Sequence, residues 1–178
     1  MDTGKRWLPG VVMVWALAAP VAYGTGGGVT FDKTTVCLGD ISDPVTVEVA
    51  ETEKQRNRGL MERTDLAADA GMLFLFDREM NVGFYMFRTR IPLDVAFFDD
   101  DKKIVAMKTM VPCVSQDPRR CAIYNPGVAF SSALEVNAGF LKRHEIKKGD
   151  RYSMTSAAKC SAERGRGQAA AQESRAGD

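Results

Sequence analysis

Leu93-Asp94-Val95-Ala96-Phe97-Phe98, then Asp99-Asp100-Asp101-Lys102-Lys103, then Ile104-Val105-Ala106-Met107-Lys108-Thr109-Met110, is two apolar runs joined by a charged turn, the pattern of a β-hairpin. Upstream, Val45, Val47 and Val49 alternate with Thr46, Glu48 and Ala50, the period of a half-buried strand. Met72-Leu73-Phe74-Leu75-Phe76 is a continuous apolar run of strand length, as expected for a strand covered on both faces. Phe84 to Phe87, Ala129 to Val136 and Arg151 to Thr155 add three more strands. Helix signals are few. Thr52 with Gln55 forms a capping box, opening a polar surface helix through Arg56 and Arg58 that Gly59 can end, with Leu60 and Met61 passed to the core. Asn137 is placed to cap a second short helix carrying Phe140, Leu141 and His144. Strands outnumber helices, and there is no repeated βαβ rhythm and no internal repeat. The expected fold is therefore α+β and β-rich: a small, partly closed β-barrel-like domain with two short helices.

The ends of the chain differ from this middle. Lys5 and Arg6 precede an apolar run from Trp7 to Val21, followed by Ala22-Tyr23-Gly24, the form of a cleavable Sec-type signal peptide. The run contains Pro9 and Pro20 and is shorter than the ~20 apolar residues of a spanning helix. The expected organisation is a signal peptide over 1–24, a lead-in over 25–43, one β-rich domain over 44–156 and a solvated, disordered tail over 157–178. The tail has no bulky apolar residue to offset its ordering entropy. Export to the periplasm follows, with no stable membrane insertion once the signal is removed. The competing expectation is an uncleaved anchor in the inner membrane that faces the domain to the periplasm.

The whole chain carries 24 Lys+Arg and 23 Asp+Glu, and removing Asp2, Lys5 and Arg6 leaves 22 of each. Such a chain has no global field to recruit nucleic acid or an anionic membrane. Four cysteines, Cys37, Cys113, Cys121 and Cys160, all lie beyond the signal. An even count in an exported chain points to disulfides, for which three connectivities exist. A Cys113–Cys121 bridge would close a loop of about nine residues and contribute roughly 2.5 kcal/mol. Cys37 and Cys160 flank the recognisable strands, so a second bridge between them would tie the domain's ends together.

Asp94 is the most suggestive single residue, a carboxylate in an apolar strand start where it is costly unless paired or hydrogen-bonded. Its candidate partners are Arg58, Arg63, Arg88 and Arg90, and the functional alternative makes it an anchor for a polar ligand beside arginines that recognise anions. Metal chemistry is disfavoured. Zinc lacks a CxxC pair and has only His144, and the aspartates of the hairpin turn lack the spacing and glycine of a calcium loop. Met107-x-x-Met110-x-x-Cys113 offers soft ligands for copper, but i,i+3 spacing on a strand puts the two methionines on opposite faces. No GxSxG, HExxH, GxGxxG or Walker loop is present.

Taken in order, Gly59-Leu60-Met61, Gly71-Met72-Leu73-Phe74, Phe84-Tyr85-Met86-x-x-Thr89-x-Ile91-Pro92-Leu93-Asp94, Pro112-Cys113, Cys121-x-x-Tyr124-x-Pro126, Glu135-x-x-Ala138-Gly139 and Gly149-Asp150 form a recognisable set. From about Val45 to Thr155 the chain resembles the domain of unknown function 192 family, also called uncharacterised protein family 0127. The resemblance implies a compact, strand-rich domain, often exported, with no established activity. Where family members usually have Trp-Met-Lys-Asn-Thr, this chain has Tyr85-Met86-Phe87-Arg88-Thr89. A role needing that lysine or asparagine does not carry over, although Arg88 keeps a positive charge nearby.

The expectation is a binding or accessory module for a small polar or anionic envelope ligand, held by Arg58, Arg88, Thr89 and Asp94 and walled by Met61 and Met86. It is not read as an enzyme, and no cofactor is expected. Three alternatives stand beside it: a hydrolase of unrecognised class acting on envelope carbohydrate or peptide, with Asp94 and Glu135 as paired carboxylates; a structural or interaction protein; and soft-metal handling.

Overall fold

The computed structural model describes residues 28–39, 44–156 and Cys160. The expected signal peptide and nearly all of the expected tail lie outside these residues. In chain order the elements are β1 (Asp32–Leu38), β2 (Val45–Ala50), α1 (Glu53–Arg58), β3 (Ala70–Met80), β4 (Phe84–Tyr85), β5 (Leu93–Phe98), β6 (Ile104–Met110), β7 (Ile123–Tyr124), β8 (Phe130–Asn137), α2 (Phe140–Arg143) and β9 (Tyr152–Met154). A 3-10 turn, Pro118–Arg120, sits in the loop before β7.

Seven strands form one sheet in the order β6-β5-β8-β3-β2-β1-β9, while β4 and β7 form a separate two-stranded sheet. Every pairing in the large sheet is antiparallel except β2 with β3, which α1 connects. The sheet curls. Phe98 lies one strand from one edge and Tyr152 on the other edge, yet their rings stack edge-to-face at 4.7 Å. Tyr152 also donates its hydroxyl to Ser132 on β8, 3.1 Å away. At one end the edges meet: Lys103 bridges Arg151, and Ile104 N–H donates to the Asp150 carbonyl at 2.8 Å. The result is the α+β, partly closed barrel that the strand pattern implies.

Side chains alternate across a strand, so the sheet carries two cores. The inner one, within the curl, gathers Val36, Leu38, Val45, Val47, Leu73, Phe98, Leu134 and Tyr152, closed by Phe140 and Leu141 of α2. The outer one gathers Met72, Phe74, Met86, Leu93, Val95, Phe97, Met110 and Phe130. Burial on both faces explains why β3, β5 and β8 have apolar runs rather than clean alternation.

Three local readings are refined. β1 lies within residues 25–43, so the sheet begins inside the expected lead-in. The α1 capping box forms, with Thr52 accepting from Gln55 N–H and Gln55 reaching back to the Thr52 N–H. Asn137, however, is the last residue of β8 and does not cap α2; its amide donates to the carbonyls of Leu66 and Ala67 at 3.0 and 2.9 Å. Gly139, at φ 81, takes the cap position, a left-handed backbone that glycine adopts freely.

Both expected disulfides are present: Cys113–Cys121 and Cys37–Cys160, each with Cα atoms 5.5 Å apart. The second spans 123 residues of sequence, and the chain-entropy model gives such a closure about 5 kcal/mol. Cross-links of this kind belong to an oxidising compartment. Among the described residues no helix is long and apolar enough to cross a membrane.

Candidate functional site

A cavity of about 700 Å³ opens on the outer face of the sheet, between α1, β3 and β4. Its position follows from a break in a strand. β3 and β8 stay in register up to Leu75↔Ser132, and pairing resumes only at Met80↔Phe130. The intervening residues leave the ladder, which carries Asp77 and Arg78 out to the cavity rim. Arg56 of α1 braces this departure, donating to the Leu75 carbonyl at 2.8 Å and lying over the Phe76 ring at 5.1 Å from its centroid. Opposite, Phe84 packs edge-to-face on Phe74 at 5.2 Å and on Phe97 at 5.3 Å. Gly83 lets the Ile123 side chain cross beside β4, since a Cβ there would collide with it.

The walls are therefore aromatic and thioether surfaces from Phe74, Phe76, Phe84, Met61 and Met80. Arg58 and Arg78 sit exposed at the rim. Glu135 lies deep in the cavity lining. It stands on β8 opposite Val95, in an otherwise apolar strand, and is only 6 % exposed. Among the described residues its carboxyl has no ion-pair or hydrogen-bond partner, and burial alone pushes its pKa up to about 8. An unpartnered buried carboxyl survives by remaining protonated. It then presents one O–H donor and a carbonyl acceptor to whatever occupies the cavity.

The six residues expected to bind ligand divide. Arg58, Met61 and Thr89 line the cavity. Met86 is buried in the outer core beneath it. Arg88 turns away to Glu62 at 3.2 Å, and Arg90 pairs with the same carboxylate; the hydrogen bond from Arg90 is the main cause holding the Glu62 pKa low. Asp94 lies on the other face. Its neighbour across the β5–β8 ladder is Val136, of the inner core, and it is 3 % exposed. Its carboxylate accepts from the Thr109 hydroxyl at 2.8 Å and from the Leu141 N–H at 3.2 Å. It thus supplies the helix-start acceptor that Gly139 cannot. None of the arginines considered as its partners pairs with it; Arg63 pairs with Glu48 instead.

The same alternation separates Asp94 from Glu135, which project to opposite faces of the sheet. They do not form the paired carboxylates of a hydrolase. Met107 packs toward the inner core and Met110 lies in the outer one, while Cys113 is committed to its disulfide, so the soft ligands are dispersed. His144 stacks on Phe140 with ring centroids 4.3 Å apart. Among the described residues no three His, Cys, Asp or Glu side chains cluster as metal ligands do.

The sequence brought out Glu135 as a partner for Asp94 and as part of the Glu135-x-x-Ala138-Gly139 motif, not as a buried acid lining a cavity. It did not bring out Arg56, Asp77, Arg78, Phe76 or Met80, whose convergence depends on the β3 irregularity and the seating of α1.

A family model, DUF192, described as an uncharacterized ACR, matches residues 35–154. A solved structure from Sinorhizobium meliloti, designated a candidate transcription regulator, is 36% identical with a TM-score of 0.64, over 72% of this chain and 98% of that one. A protein of unknown function from Novosphingobium aromaticivorans is 28% identical with a TM-score of 0.61, over 77% of this chain and 94% of that one. No curated protein matches the sequence.

Proposed function

This chain belongs to the uncharacterised DUF192 family, and we propose that it is an exported binding or accessory module for a small ligand that combines an apolar body with an anionic or polar group. The observation that carries the reading is the Glu135 carboxyl, buried without a partner among the described residues and lining a cavity of ligand size. Aromatic and thioether walls suit the apolar body. Exposed Arg58 and Arg78 at the rim suit the anion. Two disulfides and a signal-like N-terminus support the envelope as its place of work.

The test is methyl NMR with octanoate as a minimal amphiphilic anion. Shifts are expected at the methyls of Met61 and Met80, which line the cavity, and not at Met107, which packs toward the inner core. Arg58→Ala should weaken binding several-fold. Shifts at Met107, or none at Met61 and Met80, refute the assignment.

A further inference from the structure

Resting on that reading, we infer that the natural ligand is a zwitterion, with a protonated amine seated against Glu135 and a carboxylate or similar anion held at the rim, the two charges kept apart by an apolar body. The two ends of the cavity are mismatched. The rim offers Arg58 and Arg78, exposed cations without an ion pair among the described residues. The deep end offers a single acid that nothing among the described residues pairs. A simple amphiphilic anion satisfies the rim and leaves the acid facing hydrocarbon. An occupant that satisfies both ends must be polar at both ends.

A neutral hydrogen-bond acceptor could meet the acid, but an ammonium meets it better. It converts the buried carboxyl into one half of a charge-assisted pair, roughly twice as strong as a neutral hydrogen bond. Phe74 and Phe84 also line the cavity, and a cation is attracted to the π face of an aromatic ring. Arg56 does not compete for the carboxyl, because its guanidinium is engaged by the Leu75 carbonyl and the Phe76 ring.

The charged and titratable groups that share the cavity with this acid come from each neighbouring element. α1 contributes Glu53, Arg56 and Arg58; β3 contributes Asp77 and Arg78; β4 contributes Tyr85. Along the same face of the sheet, the Glu48–Arg63 pair lies beyond Met72, and Lys108 lies beyond Val95. Glu135 is the buried acid among them, so amine binding must draw a proton from it. An alkylammonium resembles the lysine side chain and keeps its charge to about pH 10. Near pH 7 the protonated acid therefore releases close to one proton per amine bound.

Calorimetry in buffers of different ionisation enthalpy tests this, using ω-aminooctanoate, octanoate and octylamine on the full mature protein. Both amines should release close to one proton and octanoate none. Affinity for ω-aminooctanoate should rise about tenfold per pH unit from pH 6 towards pH 8, the range over which this acid deprotonates. Glu135→Gln should weaken ω-aminooctanoate at least tenfold and abolish proton release. If ω-aminooctanoate and octanoate bind equally with no proton release, the zwitterion inference falls and the cavity remains a binding site. If none of the three binds, the proposed function falls with it. The proton count on the unmodified protein stands even if the variant folds poorly.

Discussion

Replacing Glu135 with glutamine should make the protein more stable at neutral pH, by an amount that grows with pH. In the folded chain the carboxyl keeps its proton up to about pH 8, whereas in the unfolded chain it ionises near 4.5. Between those values the unfolded state binds fewer protons than the folded one, so stability falls as pH rises, by ~1.4 kcal/mol per unit. The loss begins as pH passes 4.5, reaches about 3 kcal/mol at pH 7 and levels off at about 5 kcal/mol above pH 8. Glutamine has nearly the same shape and does not titrate, so the difference between the two proteins isolates this one group. Urea unfolding of both at pH 5, 6, 7 and 8 should show that difference growing by about 4 kcal/mol in favour of the variant. A difference that stays constant from pH 5 to pH 8 would refute the reasoning, because it would mean that the carboxyl is hydrated or paired in solution. The same energy makes the site receptive to a cation, which would recover it by pairing the ionised form.

Other outcomes follow from other parts of the structure. Asp94→Ala removes the acceptor for a buried N–H and a hydroxyl and should cost about 2 kcal/mol or more, with Asp94→Asn costing less; neither should alter octanoate shifts at Met61 and Met80, and a change there would place Asp94 in the site after all. Replacing Cys37 and Cys160 together by serine should destabilise the domain by about 5 kcal/mol, against roughly 2.5 kcal/mol for Cys113 with Cys121, as read from urea midpoints under non-reducing conditions. Phe98→Ala opens a void between β5 and β9 and should cost about 3–5 kcal/mol by thermal unfolding. Intact mass of the exported protein should give an N-terminus at Thr25 and a value lower by four hydrogens than the reduced chain, one pair for each of the two bridges.

Local chemistry made much of the fold readable. The hairpin of β5 and β6 follows from two apolar runs around a charged turn, and α1 follows from its capping box and the glycine after it. The pairing of Cys113 with Cys121 follows from the short loop that the two residues flank. Where reading failed, a longer-range contact decided. Asn137 has the right chemistry for a helix cap, but the β8 ladder holds it in the strand and its amide is taken by the carbonyls of Leu66 and Ala67. β1 went unread because its apolar residues, Val36 and Leu38, sit among polar neighbours and gain their burial from β2 and β9.

The two acidic residues show the same division most clearly. Sequence alone determined that Asp94 lies in an apolar strand, where it must be hydrogen-bonded or paired, and that Glu135 lies in another strand. It could not determine whether they meet. That depends on the register of β5 against β8, in which a shift of one residue sends a side chain to the other face. With Asp94 opposite Val136 and Val95 opposite Glu135, one carboxylate turns inward to hold the start of α2 and the other turns outward to the cavity. The signal-like N-terminus, the cysteines and the strand pattern were written locally, so the sequence carried them. The site was not, because its walls come from α1, β3 and β4, and only the curled sheet brings them around Glu135.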